Sequence, residues 1–147
     1  MIYLDSCALV KLIVAEKESA ALAEAISGRR AELVSSELAL TEVVRTVRRS
    51  GFDDQRKPRI DPVVLDERLA KAADLLDELD LIVLDTATLL SAAIYDDDPH
   101  IGSLDAIHLV SAQEIKVNLK SFITYDKRLA RAATAAGLPL EQPGYNT

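Results

Sequence analysis

The sequence has few of the residues on which several common kinds of site depend. It contains one cysteine, Cys7, so no disulfide can form within the chain. Its five glycines form neither the dinucleotide-binding pattern G-x-G-x-x-G nor the phosphate-binding loop G-x-x-x-x-G-K-S/T. One cysteine and two histidines cannot complete a Cys/His zinc site. The sequence therefore argues against a disulfide scaffold, a nucleotide cofactor and a zinc site of that kind.

Long hydrophobic runs and the pattern of a secretory signal are also not seen in the sequence. The apolar runs are only a few residues long, far below the roughly 20 residues that cross a bilayer. The start, MIYLDSCALV, lacks the basic region and the long apolar stretch of a secretory signal. Together with the single cysteine, this pattern predicts a cytoplasmic protein with no membrane span.

The sequence offers no obvious nucleophilic side chain. The absence of a G-x-S-x-G elbow argues against a serine hydrolase. A phosphatase that attacks through an aspartate normally carries a second Asp two residues later, whereas Asp5 is followed by Ser6 and Cys7. We therefore expect the nucleophile of any hydrolysis to be water.

Positive charge is scarce overall but concentrated locally. The chain carries 24 acidic and 17 basic residues, a net charge of −7, although nucleic-acid binders usually have a surplus of Lys and Arg. Basic residues nevertheless cluster in one part of the chain: Arg45, Arg48, Arg49, Arg56, Lys57 and Arg59. The distribution of charge, more than its sum, therefore decides whether the chain can meet an anionic partner.

The length of 147 residues and the 49% content of hydrophobic residues predict one domain over residues 1–147. Short β-type runs alternate with longer segments of helical spacing. The predicted strands are 2–4, 33–35, 81–84 and 122–124, and the predicted helices are 7–14, 18–27, 37–50, 62–79, 86–96, 103–116 and 127–136. Asp61-Pro62 indicates a helix start, and Gly51 and Gly137 lie where helices should end. The alternation is typical of an α/β fold with a central parallel sheet of four to five strands and helices on both faces.

Two aspartates lie directly after predicted strands. Asp5 ends the first strand in YLDS, and Asp126 follows the strand SFITY at the start of the last helix. Taken singly, an Asp in this position is most often a helix N-cap. In a parallel sheet, however, both residues would open on the carboxyl edge, where ligands of open α/β folds bind. The pair therefore predicts a candidate site.

A third acid, Glu42, lies in the predicted helix ELALTEVVRTVRRS. Helical spacing places four apolar residues on one side of this helix: Leu40, Val43, Val44 and Val47. Glu42, Arg45 and Arg49 share the opposite side. That side is either a solvated face with a Glu-Arg pair or a catalytic carboxylate beside a basic stripe.

A fourth acid, Asp105, lies in IGSLDAIHLVSAQ, where apolar residues occur almost all the way round the predicted helix. That pattern predicts a buried helix with an acid near its N-terminus. A first-turn Asp can complement the helix dipole, but an ionised carboxylate away from water needs partners or a cation. His108 is interpreted as a packed, hydrogen-bonded histidine and not as a ligand, since hard ions such as magnesium prefer oxygen.

Four segments carry these acids in order and span nearly the whole chain: YLDS, SELALTEVVRTVRR, SLDAIHLVSA and FITYDKRLARAA. A small hydroxyl follows Asp5, and a Ser-Glu opening and trailing arginines mark the Glu42 helix. Asp105 lies in LDA-x-HL, and Asp126 in Thr-x-Asp-x-Arg-Leu. Together the segments resemble the PIN-domain ribonucleases, and most closely the VapC toxins of bacterial toxin–antitoxin pairs.

The resemblance implies a PIN-like three-layer fold, magnesium or manganese as cofactor, and endonucleolytic cleavage of RNA. It assigns an acidic site and two supporting hydroxyls: Asp5, Glu42, Asp105 and Asp126, with Ser6 and Thr124. It also implies a homodimer and a VapB-type antitoxin that blocks the site. The basic stretch between Gly51 and Ile60 matches no signature of the family.

These residues predict metal-assisted hydrolysis of phosphodiester bonds. Asp5 and Asp105, with help from Asp126, would hold one or two Mg²⁺ ions. Glu42 would orient or deprotonate the attacking water. The RNA backbone would be positioned, without recognition of bases, by arginines of the Glu42 helix: Arg45, Arg48 and Arg49.

Three alternative interpretations remain. A receiver-like signalling domain also gathers acids and Mg²⁺ at the carboxyl edge, but it needs an acidic pair in an early loop and a lysine ending a late strand. Here Asp5 has no acidic neighbour, and Lys127 follows Asp126 inside a helix start. An inactive PIN-type binding module would lack one of the four acids, which are all present. A stand-alone RNA-processing nuclease would have the same site but no adjacent small gene for a partner.

Overall fold

The computed structural model describes residues 1–145 of the chain, without the side chain of residue 31. The strands are β1 (Ile2–Leu4), β2 (Leu33–Ser36), β3 (Asp80–Ile82), β4 (Ser121–Ile123) and β5 (Leu140–Glu141). The α-helices are α1 (Ser6–Lys11), α2 (Ser19–Ala25), α3 (Ala39–Ser50), α4 (Pro62–Asp77), α5 (Thr86–Ala93), α6 (Ser103–Glu114) and α7 (Lys127–Ala135). Among these helices, none combines the length and apolar character needed to span a membrane.

The strands form one parallel sheet in the order β3-β2-β1-β4-β5. In the central strand β1, Tyr3 pairs with Val34 of β2 on one side and with Phe122 of β4 on the other. The chain builds outward from β1 to β3 and then returns to the opposite side of β1 to form β4 and β5. The order therefore reverses between β1 and β4, and open α/β sheets bind ligands at the carboxyl ends of such a pair.

Successive residues of β1 point to opposite faces of the sheet, and each face has its own core. Ile2 and Leu4 pack in one cluster with apolar residues of α1, α2, α3 and α4. Tyr3 packs in a second cluster with Leu109 of α6 and Leu129 of α7. Helix α5 lies against α6 on this second side. The predicted parallel sheet with helices on both faces is confirmed.

Local sequence signals correctly predict several helix ends. Asp61 caps α4 by accepting a hydrogen bond from the Val63 N–H at 2.8 Å, and Pro62 occupies the first helical position. Gly51 is the C-cap of α3. Gly137 follows α7 with a φ of 67°, a conformation that glycine adopts without strain.

Other boundaries differ from the sequence prediction. Strand β5 is missing from the prediction because two residues are too few to show alternation. Strand β3 begins at Asp80 and ends at Ile82, so the prediction of 81–84 was shifted towards the following loop. Helices α1 and α5 each end three residues before the predicted positions 14 and 96. Apolar residues continue at helical spacing beyond the last turn of each helix. A prediction from spacing alone therefore makes both helices too long.

The apolar side of α3 is narrower than predicted. Its fully buried residues are Ala39, Val43 and Val47, which follow one another at intervals of four. Leu40 lies about 100° around the helix from Ala39 and is 46% exposed. The prediction that Leu40 shares the buried side was therefore wrong, whereas the arginines do lie on the exposed side.

Candidate active site

Asp5 lies directly after β1 and is buried, with 3% of its surface exposed. It caps α1 by accepting a hydrogen bond from the Ala8 N–H at 2.8 Å on Oδ1. Its Oδ2 accepts from the Thr124 hydroxyl at 2.5 Å, and the Cys7 thiol donates to both oxygens at 3.0 and 3.1 Å. Burial raises the pKa of Asp5, although His108 and the hydrogen bond from Thr124 act in the opposite direction.

Asp126 is joined to Asp5 through Thr124. The Asp126 N–H donates to Thr124 Oγ1 at 3.1 Å, and that hydroxyl donates to Asp5. Asp126 is exposed and caps α7, since its Oδ1 accepts from the N–H groups of Arg128 and Leu129 at 2.7 and 2.9 Å. The cap uses one oxygen only, and Oδ2 makes no hydrogen bond to the described residues. A capping role and a role at the site are therefore compatible.

Glu42 points inward to the site, although it shares a side of α3 with exposed arginines. Its Oε1 accepts from the Ser6 hydroxyl at 2.7 Å and lies 2.8 Å from His108 Nε2. The side chain is 22% exposed. Burial raises the pKa of Glu42, but the hydrogen bonds from His108 and Ser6 outweigh this effect, and the pKa is lowered overall. Glu42 is therefore not a purely solvated surface residue.

Asp105 lies in the first turn of α6, half-buried, and its carboxylate makes no hydrogen bond to the described residues. Burial raises its pKa, and the nearby charges of Asp126, Asp5 and Glu42 raise it further. Asp105 therefore lies within electrostatic reach of the other three acids. The structure thus brings together the four carboxylates that the sequence singled out, although they come from four separate segments.

The donor types at this site fit a hard divalent cation, because they are carboxylate oxygens. The repulsion that raises the pKa of Asp105 is also what a cation would relieve. Within residues 1–145, however, no three His, Cys, Asp or Glu side chains lie close enough together to share an ion as they stand. A shared ion therefore requires side-chain adjustment, for which the unrestrained Asp105 carboxylate is well suited.

The two supporting hydroxyls predicted for the site contact two of its acids, since Ser6 donates to Glu42 and Thr124 donates to Asp5. The packed, hydrogen-bonded state predicted for His108 is confirmed. Sequence analysis missed Cys7 and Tyr3. Cys7 could have been found from its place in the first turn after Asp5, whereas the Tyr3 contact joins residues 105 positions apart and leaves no local pattern.

The basic residues lie on the surface, and one of them, Arg49, acts on Glu42. Arg45, Arg48 and Arg49 are exposed on α3, and the charge of Arg49 contributes to the lowered pKa of Glu42. The basic stretch after Gly51 folds back on itself, because the Arg59 N–H donates to the Gly51 carbonyl at 2.9 Å. This stretch makes no hydrogen bond to the four acids in the described structure.

Comparison with known proteins identifies the class to which this fold and site belong. The sequence model of the PIN domain matches residues 2–135. The chain therefore belongs to the PIN-domain family. This finding confirms the predicted fold class and excludes the receiver-like interpretation.

Within that family the chain groups with the VapC-type ribonucleases, as three similar proteins of Mycobacterium tuberculosis show. Ribonuclease VapC47 of strain CDC 1551 / Oshkosh is 35% identical over 147 residues, and ribonuclease VapC35 of the same strain is 37% identical over 147 residues. In both comparisons 98% of each chain is covered. Ribonuclease VapC46 of strain ATCC 25618 / H37Rv is 38% identical over 142 residues, with 97% of each chain covered. The VapC resemblance is thereby confirmed.

Proposed function

We propose that this chain is a metal-dependent endoribonuclease that acts as the toxin of a VapBC-type toxin–antitoxin pair, with residues 1–147 forming a single PIN domain. The observation that carries the proposal is that Asp5 and Asp126, beyond the ends of β1 and β4, share the Thr124 hydroxyl, while Asp105 lies near enough to Asp126, Asp5 and Glu42 for their charges to raise its pKa. The toxin role is favoured over stand-alone RNA processing because the chain covers nearly the full length of relatives named VapC.

PIN-domain VapC nucleases generally depend on a divalent metal ion. Here we assign Mg²⁺, or Mn²⁺, because the available ligands are hard oxygens. Asp5, Asp105 and Asp126 would hold one or two ions. When bound, the metal lowers the pKa of its water and neutralises the charge that develops on the phosphate oxygens.

The remaining steps fall to side chains of this protein. Glu42 orients the attacking water or takes its proton at Oε2, because Oε1 already accepts the Ser6 hydroxyl. Thr124 holds the Asp5 carboxylate in place through its hydroxyl. The RNA backbone runs over the exposed side of α3, where its phosphates meet Arg45, Arg48 and Arg49.

The proposed partners follow from the same role. A VapB-type antitoxin would bind this chain and block access of RNA to the carboxylate site. A homodimer is supported by exposed apolar residues on α5 and directly beside its two ends, where Val83, Leu90 and Ile94 are 62%, 61% and 78% exposed. We place the protein in the cytoplasm, where its RNA substrate is found.

Cleavage of a mixed pool of structured RNA tests the proposed activity. The purified protein is assayed with Mg²⁺, with EDTA, and as the variants Asp5→Asn and Asp105→Asn. Asp105 caps no helix by a side-chain hydrogen bond, so its variant does not share the folding risk of Asp5→Asn. The matched control is Asp85→Asn, because Asp85 also follows a strand and caps a helix, with the Thr88 N–H at 2.8 Å.

We expect cleavage by the unmodified protein and by Asp85→Asn in Mg²⁺. We expect none in EDTA and none by the two site variants, with circular dichroism showing that each sample is folded. Cleavage that survives both EDTA and Asp105→Asn, or an unmodified protein that cuts no RNA, would contradict the proposal.

A further inference from the structure

A chain of buried hydrogen bonds reaches Glu42 from the centre of the sheet. Tyr3 Oη in β1 lies 2.7 Å from His108 Nδ1 in α6, and His108 Nε2 lies 2.8 Å from Glu42 Oε1. Tyr3 and His108 are 0% and 3% exposed, and the Tyr3 ring also stacks on Phe122. Both ring nitrogens of His108 thus have protein partners in a place that water does not reach.

The hydrogen-bonding capacities of these groups fix where the protons lie. Glu42 is ionised under ordinary conditions, because its pKa is lowered, and a carboxylate only accepts hydrogen bonds. His108 Nε2 lies 2.8 Å from Glu42 Oε1 and 3.1 Å from Ser6 Oγ. Because the Ser6 hydroxyl already donates its one proton to Glu42, His108 Nε2 is the second donor to this carboxylate. His108 Nδ1 faces the Tyr3 hydroxyl, which keeps its proton because burial raises its pKa well above the usual value.

Two donors consequently converge on one oxygen of Glu42. Ser6 Oγ lies 2.7 Å and His108 Nε2 lies 2.8 Å from Oε1. The other oxygen, Oε2, has no hydrogen-bond partner among the described residues. A carboxylate held in this way cannot turn freely, and the oxygen that stays available is always the same one.

We propose that His108 is a positioning residue for Glu42: its ring, oriented by the Tyr3 hydroxyl, holds Oε1 and leaves Oε2 to meet the attacking water. The inference rests on the proposed ribonuclease function. It assigns Tyr3 and His108 a role in orienting the base. Neither residue touches the substrate in this scheme.

Nuclear magnetic resonance tests the proton arrangement without any RNA. The chain has two histidines, so ¹⁵N-labelled histidine and the variant His100→Gln assign the His108 signals. We expect a proton on Nε2, directed at Glu42. In Tyr3→Phe this proton should stay on Nε2, because Glu42 still accepts it, while the Nδ1 signal should shift because Nδ1 loses its partner. An unprotonated Nε2 in the unmodified protein, or an unchanged Nδ1 signal in Tyr3→Phe, would overturn the proposal.

Kinetics on two variants then separate positioning from packing. His108→Leu keeps a similar apolar volume but has no donor, whereas His108→Gln carries an amide N–H that can reach Glu42. We expect kcat to fall by roughly 10–100-fold in His108→Leu with KM changed little, and His108→Gln to retain several times more activity than His108→Leu. Tyr3→Phe, which preserves ring packing, should lower kcat by a smaller factor and serves if His108→Leu does not fold.

Equal losses of kcat in His108→Leu and His108→Gln at equal thermal stability would contradict the positioning role. So would full activity in both variants. If the unmodified protein cuts no RNA, the proposed function fails, but the tautomer measurement still decides whether His108 donates to Glu42 as inferred.

Discussion

Thr124 is the side chain that connects two of the four acids. Its hydroxyl donates to Asp5 at 2.5 Å and accepts from the Asp126 N–H at 3.1 Å. Thr124 is fully buried, so water cannot replace either partner. The loss of one partner leaves the other with the cost of its desolvation, which is typically ~1–3 kcal/mol. Thr124 therefore contributes both to stability and to the placement of the site.

The variant Thr124→Val keeps the shape of the side chain but removes the hydroxyl. We expect the free energy of unfolding to fall by ~1–3 kcal/mol, because Asp5 and the Asp126 N–H lose a buried partner. Urea denaturation measures this change. The matched control is Thr134→Val, whose hydroxyl donates only to the Ala130 carbonyl within α7. Equal effects of the two substitutions would contradict the role of Thr124.

Asp105 should destabilise the metal-free fold at neutral pH. Burial raises its pKa, and the charges of Asp126 and Asp5 raise it further, so folding favours the protonated form. The contribution of Asp105 to the free energy of unfolding is favourable at a pH below the ordinary pKa of 3.8. It is lost as the pH rises through the raised pKa of the folded state.

In EDTA at pH 7 we therefore expect Asp105→Asn to raise the Tm by about 2–4 °C, the shift that ~1 kcal/mol produces in a chain of this size. This gain in Tm should disappear below pH 3.8, where Asp105 is protonated in both the folded and the unfolded state. Thermal scans over pH follow this difference, with the exposed Asp66→Asn as control. A lower Tm of Asp105→Asn at pH 7 would show that repulsion does not dominate at this site.

Helix α3 has two sides with different tasks. Val43 and Val47 are fully buried against the rest of the protein, while the arginines of the same helix stay in solvent. Arg49 also donates to Thr46 one turn earlier, at 3.1 Å. Because α3 also carries Glu42, packing of its apolar side fixes the position of Glu42 and leaves the arginines in solvent.

Arg45→Ala and Arg49→Ala should weaken RNA binding without changing where RNA is cut. We expect KM to rise, and the slope of log KM against log salt concentration to fall by about 0.7–1 for each phosphate contact removed. Cleavage assays at several salt concentrations measure this slope. The control variant Lys71→Ala, which removes an exposed cation of α4, should leave this slope unchanged. An unaltered slope in both arginine variants would move the RNA path away from α3.

The sequence predicted long elements better than short ones. The periodicity of α3, α6 and α7 was clear enough to identify these helices to within two residues at each end. Strand β5 depends on pairing with β4, where Leu140 lies beside Phe122, and such a long-range contact has no local pattern. The exposure of Leu40 likewise follows from the direction in which α3 packs.

For the whole molecule, the sheet order decides which residues meet. Asp5 and Asp126 are far apart in sequence but become neighbours because β4 pairs with β1. The strand alternation predicted a parallel sheet but not this order. The four acids were identified individually by position and together by resemblance to a family. The link from Glu42 through His108 to Tyr3 could only be found in three dimensions.

The exposed apolar surface around α5 predicts self-association. Ile94→Asp places a charge where Ile94 is 78% exposed and should disrupt a dimer formed there. Size-exclusion chromatography with light scattering should give twice the 16.0 kDa of one chain for the unmodified protein and a monomer for the variant. Val117→Asp, at a site 98% exposed after α6, should leave the dimer intact. A monomeric unmodified protein would contradict the dimer.

The most direct measurement asks which oxygen attacks the phosphorus atom of RNA. A metal-dependent carboxylate site activates water, so cleavage in H₂¹⁸O with Mg²⁺ should add one ¹⁸O to the terminal phosphate at each cut, as read by mass spectrometry. No product should form in EDTA or with Asp105→Asn. Products that end in a 2′,3′-cyclic phosphate would show attack by the RNA's own 2′-hydroxyl, and would contradict a water-activating site at Asp5, Glu42, Asp105 and Asp126.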